Sequence, residues 1–341
     1  MKKLIAIISV TGLMALLTSC FKEDERIVPH DPGDVTTDTV VMTNNYKYQV
    51  YYDLGTASAV ATNQKKDWDL GFECSADGWH IILNTSNFML AAKSGISDFS
   101  IPIDTVGMKF KYDESTGNPD STAIGRWLHF LPPDSTKSYT HEVYVINRGY
   151  DEAGNLRGLK KIVFESLDDY QYTIRYANLD GSDEHTYSVT KDPAVNYICF
   201  SFDNGGQQLD LEPPAFDWDL LFTQYTTLLY TDAGDPYPYL VTGVLANQKT
   251  IAVHQDTTLD FQALDLLTAQ GLDYSTVQDE IGYDWKDVQG DLGSGNVNYV
   301  IVPKLVYVIR DWQGFYYKFR FIGFYSNTGE KGFPSFELQK L

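Results

Sequence analysis

Two carboxylates flank an indole at two places in this chain, Asp67-Trp68-Asp69 and Asp217-Trp218-Asp219. Paired carboxyls beside an aromatic ring can serve sugar recognition or acid–base cleavage of a glycosidic bond. Spacing points elsewhere. Residues two apart on a strand share one face, which sets each Asp pair on one side and its Trp on the other. The reading that follows is structural: indole in the core, carboxylates accepting N–H bonds from a neighbouring turn. No Gly-x-Ser-x-Gly elbow, His-Glu-x-x-His helix, Cys-x-x-Cys pair or glycine-rich phosphate loop occurs, and no enzyme is expected. Six histidines lie without metal-ligand spacing, so no metal site is expected. Asp287, Asp291, Asn296 and Asn298 offer oxygens in a glycine-rich stretch but lack the regular calcium-loop order.

Imidazole and thioether groups are the other candidates. His129 stands in Trp127-Leu128-His129-Phe130-Leu131, Met108 alternates with Val106 and Phe110, and His80 follows Trp79. Each has a plain reading as a strand histidine, a core methionine and a partly exposed histidine, and each has the chemistry to bind iron. His141, His185 and His254 read as surface or strand ends. Trp79, Tyr237 and Tyr239 are candidates for stacking on a sugar. The two tyrosines alternate with prolines in Asp235-Pro236-Tyr237-Pro238-Tyr239, which reads as a stiff, exposed aromatic loop.

The elements that would position these groups repeat. Trp218 follows Trp68 by 150 residues, and Phe202-Asp203-Asn204-Gly205 answers Tyr52-Asp53-Leu54-Gly55 at the same offset. Ile281-Gly282 with Trp285 echoes Ile124-Gly125 with Trp127, and Tyr307-Val308-Ile309 echoes Tyr144-Val145-Ile146. Short aromatic and β-branched runs dominate: 46–52, 80–83, 143–146, 162–165, 170–176, 198–202, 240–245, 299–309 and 315–324. Asp311 to Gly314 reads as a hairpin turn. Leu259 to Gln270 carries one helical pattern, with caps at Asp256, Thr257 and Thr258. The fold class is therefore all-β: two tandem antiparallel β-sandwich-like domains related by internal duplication, over 44–193 and 194–341.

Residues 1–19 read as a signal peptide, with Lys2 and Lys3 ahead of an apolar run too short to span a membrane comfortably. Leu17-Thr18-Ser19-Cys20 looks like a bacterial lipobox, which implies cleavage before Cys20 and lipid on its thiol. Residues 20–43 are expected to be a lipidated tether, opening with Lys22-Glu23-Asp24-Glu25, which is similar to the acidic tag of surface-exported lipoproteins. Cleavage takes the formal charge from −20 to −22, which excludes nucleic acid and anionic lipid as partners. Cys74 and Cys199 remain, with a disulfide and two buried thiols both open.

These features together resemble the HmuY family of Bacteroidota surface lipoproteins. The residues that carry the resemblance are Phe200-Ser201-Phe202, Trp218-Asp219-Leu220, Thr242-Gly243-Val244, Trp285, Tyr307-Val308-Ile309, Gly314 and Lys318. The first repeat follows the series more loosely. The resemblance implies an all-β, outer-membrane, surface-exposed protein that captures haem and delivers it to a TonB-dependent receptor. It also implies two iron ligands, one before the Trp that corresponds to Trp285 and one a few residues after it. This chain has no His or Met in either window of the second repeat; the first repeat offers Met108 and His129. Three functions follow for comparison: capture of haem or a related tetrapyrrole, a glycan- or peptide-binding adhesin, and a docking subunit of an uptake complex.

Overall fold

The computed structural model describes residues 33–132, 135–291 and 296–341; the signal segment, Cys20 and the start of the tether lie outside the described residues. Runs of Val, Ile, Tyr and Phe bounded by Gly, Asn, Asp and Pro form twenty-two strands among them. The first eleven are β1 (Thr36–Thr39), β2 (Tyr48–Asp53), β3 (Ser58–Gln64), β4 (Leu70–Glu73), β5 (Ile81–Leu83), β6 (Leu90–Lys93), β7 (Leu128–Leu131), β8 (Thr136–Tyr139), β9 (Tyr144–Asn147), β10 (Leu159–Leu167) and β11 (Gln171–Ala177). The second eleven are β12 (His185–Thr190), β13 (Tyr197–Ser201), β14 (Gln207–Leu209), β15 (Leu220–Tyr230), β16 (Pro236–Ala246), β17 (Ile251–Asp256), β18 (Lys286–Asp291), β19 (Asn296–Ile301), β20 (Val306–Asp311), β21 (Tyr316–Tyr325) and β22 (Lys331–Lys340). The all-β expectation holds.

Two layered lobes arise. In the first, the sheet β12-β11-β10-β9-β6 packs on the sheet β14-β13-β4-β5. Leu70, Phe72, Ile198 and Phe200 from the inner sheet meet Tyr144, Ile162, Phe164, Tyr172 and Ile174 from the outer one. In the second, β1-β22-β21-β20-β17 packs on β16-β15-β2-β3, with Val50, Tyr52, Leu220 and Phe222 against Tyr307, Ile309, Phe319 and Phe336. Trp127 and Trp285 are buried one in each core.

The inner sheets straddle the boundary at 193/194. β13 pairs antiparallel with β4, and β2 with β15. β1 lies on β22 as β12 lies on β11. The first core therefore draws on residues 70–202 alone, whereas the second joins 40–54 to 220–338. All of Pro32–Leu341 forms one compact unit.

Three sequence expectations need correction. The tether is shorter than 20–43, because β1 pairs with β22 and Val40 and Met42 enter the second core. The helix α1 occupies only Leu266–Gln270, and its cap is Asp265, whose side chain accepts from Thr268 N; the apolar groups Leu259, Phe261 and Leu264 pack from turns instead. The run 299–309 is two strands, β19 and β20, broken at Pro303 and at Lys304, whose φ is +67°. The cysteines are both free and buried. Cys74 N donates to Asn196 O while Cys199 sits three positions further along β13, so the thiols lie on opposite faces of one sheet, out of disulfide geometry.

Candidate functional site

Strand alternation builds a cleft between the inner sheets. With Leu70, Phe72, Phe200, Val50, Tyr52 and Phe222 committed to the two cores, the alternate residues turn the other way. There Ile82 and Cys199 face Tyr51, Gln49, Leu221, Thr223 and Tyr225 across two adjoining compartments of about 130 and 180 Å³. Trp68, Ile82, Tyr197, Leu221, Gln248 and Gln278 border both.

The two indoles of the repeated motif are buried, as the sequence suggests, but they line this cleft rather than joining either of the two lobe clusters. Trp68 Nε1 donates to Gln49 Oε1 at 2.8 Å, and Gln49 Nε2 donates to Thr223 Oγ1 at 3.0 Å. Trp218 Nε1 donates to Glu212 Oε1 at 3.2 Å and its ring meets Tyr51 edge-on at 5.0 Å. Burial pushes the Glu212 carboxyl up to about 7, although Asn196 N and Tyr197 N donate to it. Asp113, beside the other compartment, is likewise raised to about 7 by burial while accepting from Leu83 N and Ala123 N. Asn196 Oδ1 is buried without a partner at the edge of the second compartment. Amides, indoles and phenols line much of the cleft, with Glu73, Glu114 and Lys249 also on its walls, so it can hydrogen-bond hydroxyl or amide groups.

Three carboxylates of the motif, Asp67, Asp69 and Asp219, are structural, though not as a pair on one strand face, and Asp217 is exposed. Asp67 ends a short 3-10 turn and accepts from Gln64 N. Asp69 accepts from Phe202 N, and Asp219 from Leu54 N, so each ties its sheet to the turn after the exchanged strand. Asp69 also receives Arg148 through two bonds of 3.0 and 2.9 Å, with Arg157 Nη1 at 3.0 Å.

Met108 and His129 are not brought together. Met108 is half-buried against the satellite cluster of Phe99, Ile103, Val143 and Val163, and borders a shallow cleft with Lys93, Lys109 and Lys111. His129 is exposed on β7, opposite Ser138, and does not border that cleft. His80 Nδ1 sits 2.6 Å from Glu73 Oε2, and its ring packs on Trp79 at 4.0 Å. Burial alone would raise Glu73, but hydrogen bonds from His80 and Ser75 hold it down at about 2. Trp79 is only 9% exposed, set in the first core under the Arg126 guanidinium, so its reading as an exposed stacking platform is corrected. Tyr237 and Tyr239 are exposed, but on the far end of the β15–β16 hairpin rather than in a loop.

Among the described residues no cluster of three or more His, Cys, Asp or Glu could hold a metal ion, and no helix is long and apolar enough to cross a membrane. Asp287 and Asn298 lie on the paired strands β18 and β19; residues 292–295 between those strands lie outside the described residues. Sequence reasoning missed Tyr51, Tyr197, Gln248 and Gln278. For Tyr51 and Tyr197 the available signal was an aromatic residue at a position alternate to core residues, where a solvated face would carry charges; Gln248 and Gln278 sit in turns, which alternation does not mark.

A family model described as HmuY protein matches residues 45–338. No curated protein matches the chain. Among solved structures, the chain is similar to PinO from Porphyromonas gingivitis, at 10% identity over 90% of this chain and 97% of that one, with a TM-score of 0.27. It is also similar to the HmuY analog of Tannerella forsythia, at 11% identity over 91% and 98% of the two chains, with a TM-score of 0.25.

Proposed function

The chain belongs to the HmuY family, and from that membership we propose a surface-anchored, non-enzymatic lipoprotein that captures haem or a related tetrapyrrole for a TonB-dependent outer-membrane receptor. Lipid on Cys20 is the anchor in this reading. The family match across 45–338 carries it. His129 supports it locally: an exposed imidazole on the hairpin that follows buried Trp127, with exposed Leu131 two residues on along the same strand. A flat macrocycle on that hairpin gains apolar contact and one nitrogen ligand. Ligation from both faces by Met108 and His129 does not fit, since the thioether packs in a separate cluster.

Titrating haem into the purified protein tests this. A shifted Soret band is expected, weakened in His129→Ala and unchanged in Met108→Ala. A spectrum identical to free haem at micromolar concentration sinks the reading.

One observation favours a second reading, a glycan- or peptide-binding adhesin. The inter-sheet cleft offers amide and indole groups and the unpaired Asn196 Oδ1, which suit a hydroxylated ligand. Binding on a glycan array that is lost in Gln248→Ala/Gln278→Ala places the ligand in the cleft; loss in Tyr237→Ala/Tyr239→Ala places it on the hairpin. A blank array removes this reading. Pull-down of the receptor from native membranes would identify a docking role.

A further inference from the structure

One end of the second lobe is aromatic and bare. Phe216 is 56% exposed, Trp312 55% and Phe315 41%, although the Phe216 and Trp312 rings already touch at a centroid distance of 5.1 Å. The other five tryptophans, Trp68, Trp79, Trp127, Trp218 and Trp285, are all buried. Trp312 and Phe315 sit in the turn between β20 and β21, and Lys340 lies with its Nζ 3.2 Å from the centre of the Phe315 ring. Asp311, the nearest carboxylate in that turn, is occupied internally by Gln313 N, Phe315 N and the Tyr317 hydroxyl.

The tether arrives at this same end. Gly33 N donates to Lys340 O at 3.1 Å, Gln339 Nε2 donates to Gly33 O, and Lys340 is the register partner of Tyr317. Twelve residues lie between Cys20 and Gly33. A flexible chain of that length has a root-mean-square span of about 20 Å and a fully extended limit of roughly 45 Å. An anchor on Cys20 thus keeps the aromatic end, where the described chain begins, within roughly 45 Å of the membrane. Trp and Phe beside a lysine whose stem can reach back to water are the residue types that settle at a lipid–water boundary.

We propose that the face of Phe216, Trp312 and Phe315, edged by Lys340, rests on the lipid surface into which Cys20 is anchored. The cleaved chain's formal charge of −22 disfavours contact with an anionic bilayer, so the proposed contact is with zwitterionic lipid. This inference rests on the lipid-anchor reading and is independent of the cargo.

The test uses the full lipidated chain in phosphatidylcholine vesicles whose acyl chains carry bromine, a short-range quencher of indole fluorescence. With the other tryptophans buried, quenching relative to unbrominated vesicles is expected in the wild type and is lost in Trp312→Phe. Equal quenching in the two proteins, or none in either while both float with the vesicles, overturns the proposal. So does a concentration-dependent dimer in which Trp312 is shielded without bromine quenching, which would make the occupant a second copy. Mass spectrometry of Cys20 reads the anchor separately: an unmodified thiol removes the anchor reading and this proposal with it, while leaving haem titration unaffected.

Discussion

Asp69 and Asp219 occupy matching positions and have opposite electrostatics. Asp69 is fully buried but bonded to Arg148 and contacted by Arg157. Replacing it with Asn leaves Arg148 and Arg157 with only the half-exposed Asp203 as counter-charge, at a cost of about 3 kcal/mol. Asp219 has no such partner, and burial raises it to about 6. Asn there keeps an acceptor for Leu54 N, so the change costs about 1 kcal/mol or less. Urea unfolding of Asp69→Asn and Asp219→Asn measures the contrast, and equal losses would contradict it. The raised carboxyls also set a pH dependence. Asp113 and Glu212, at about 7 in the fold, hold protons more tightly there than in the unfolded chain. Their contribution is full below the ordinary carboxylate range, falls as pH rises towards 7, and is gone above it. Glu73, held at about 2, acts the other way, and its contribution disappears only as acid takes pH down through that value. The melting temperature is therefore expected to rise on going from pH 8 to pH 5. Asp113→Asn/Glu212→Gln should flatten that slope; an unchanged slope would show that other groups govern it.

Strand existence was largely legible in the sequence, because alternation is a local property and runs such as Ile162 to Glu165 or Phe315 to Phe324 carry it openly. Pairing was not. Nothing near Tyr197 announces that β13 will lie beside β4, more than a hundred residues earlier, and the recurrence at 150 residues pointed to two self-contained blocks. The candidate site was least legible: an indole between carboxylates reads as buried, and Trp68 is buried, but in the cleft between sheets. Met108 and His129 looked like partners because window and residue type cannot report distance. Backbone constraints were partly visible. Gly149 has φ +68°, and a Cβ there would overlap the Asn87 carbonyl oxygen, which accepts from Tyr150 N. Gly149→Ala is expected to cost about 3 kcal/mol by forcing the turn after β9 away from the Thr85–Asn87 segment. Differential scanning calorimetry would read it, and a melting temperature within a degree of wild type would refute the contact.

At the level of the whole molecule, the two cores differ in how their parts are distributed along the chain. Residues 65–212 contain every member of the first core, whereas 194–341 lacks the β2 strand that β15 pairs with and the Val50 and Tyr52 that pack below it. The excised segment 65–212 is expected to give dispersed amide signals in a two-dimensional NMR spectrum, and 194–341 to give collapsed ones. The reverse result would mean that each sequence half folds as a block. The same distribution fixes an order in time. A chain emerging amino end first presents β1 and the β2–β3 hairpin before β22 and β15, the strands that complete their sheets, exist, and those edges stay open until the later strands follow. The first lobe can close meanwhile, so the second lobe shuts last, around a finished neighbour. Pulsed deuterium labelling during refolding should find the amides of β10 and β11 sheltered while those of β2 still exchange.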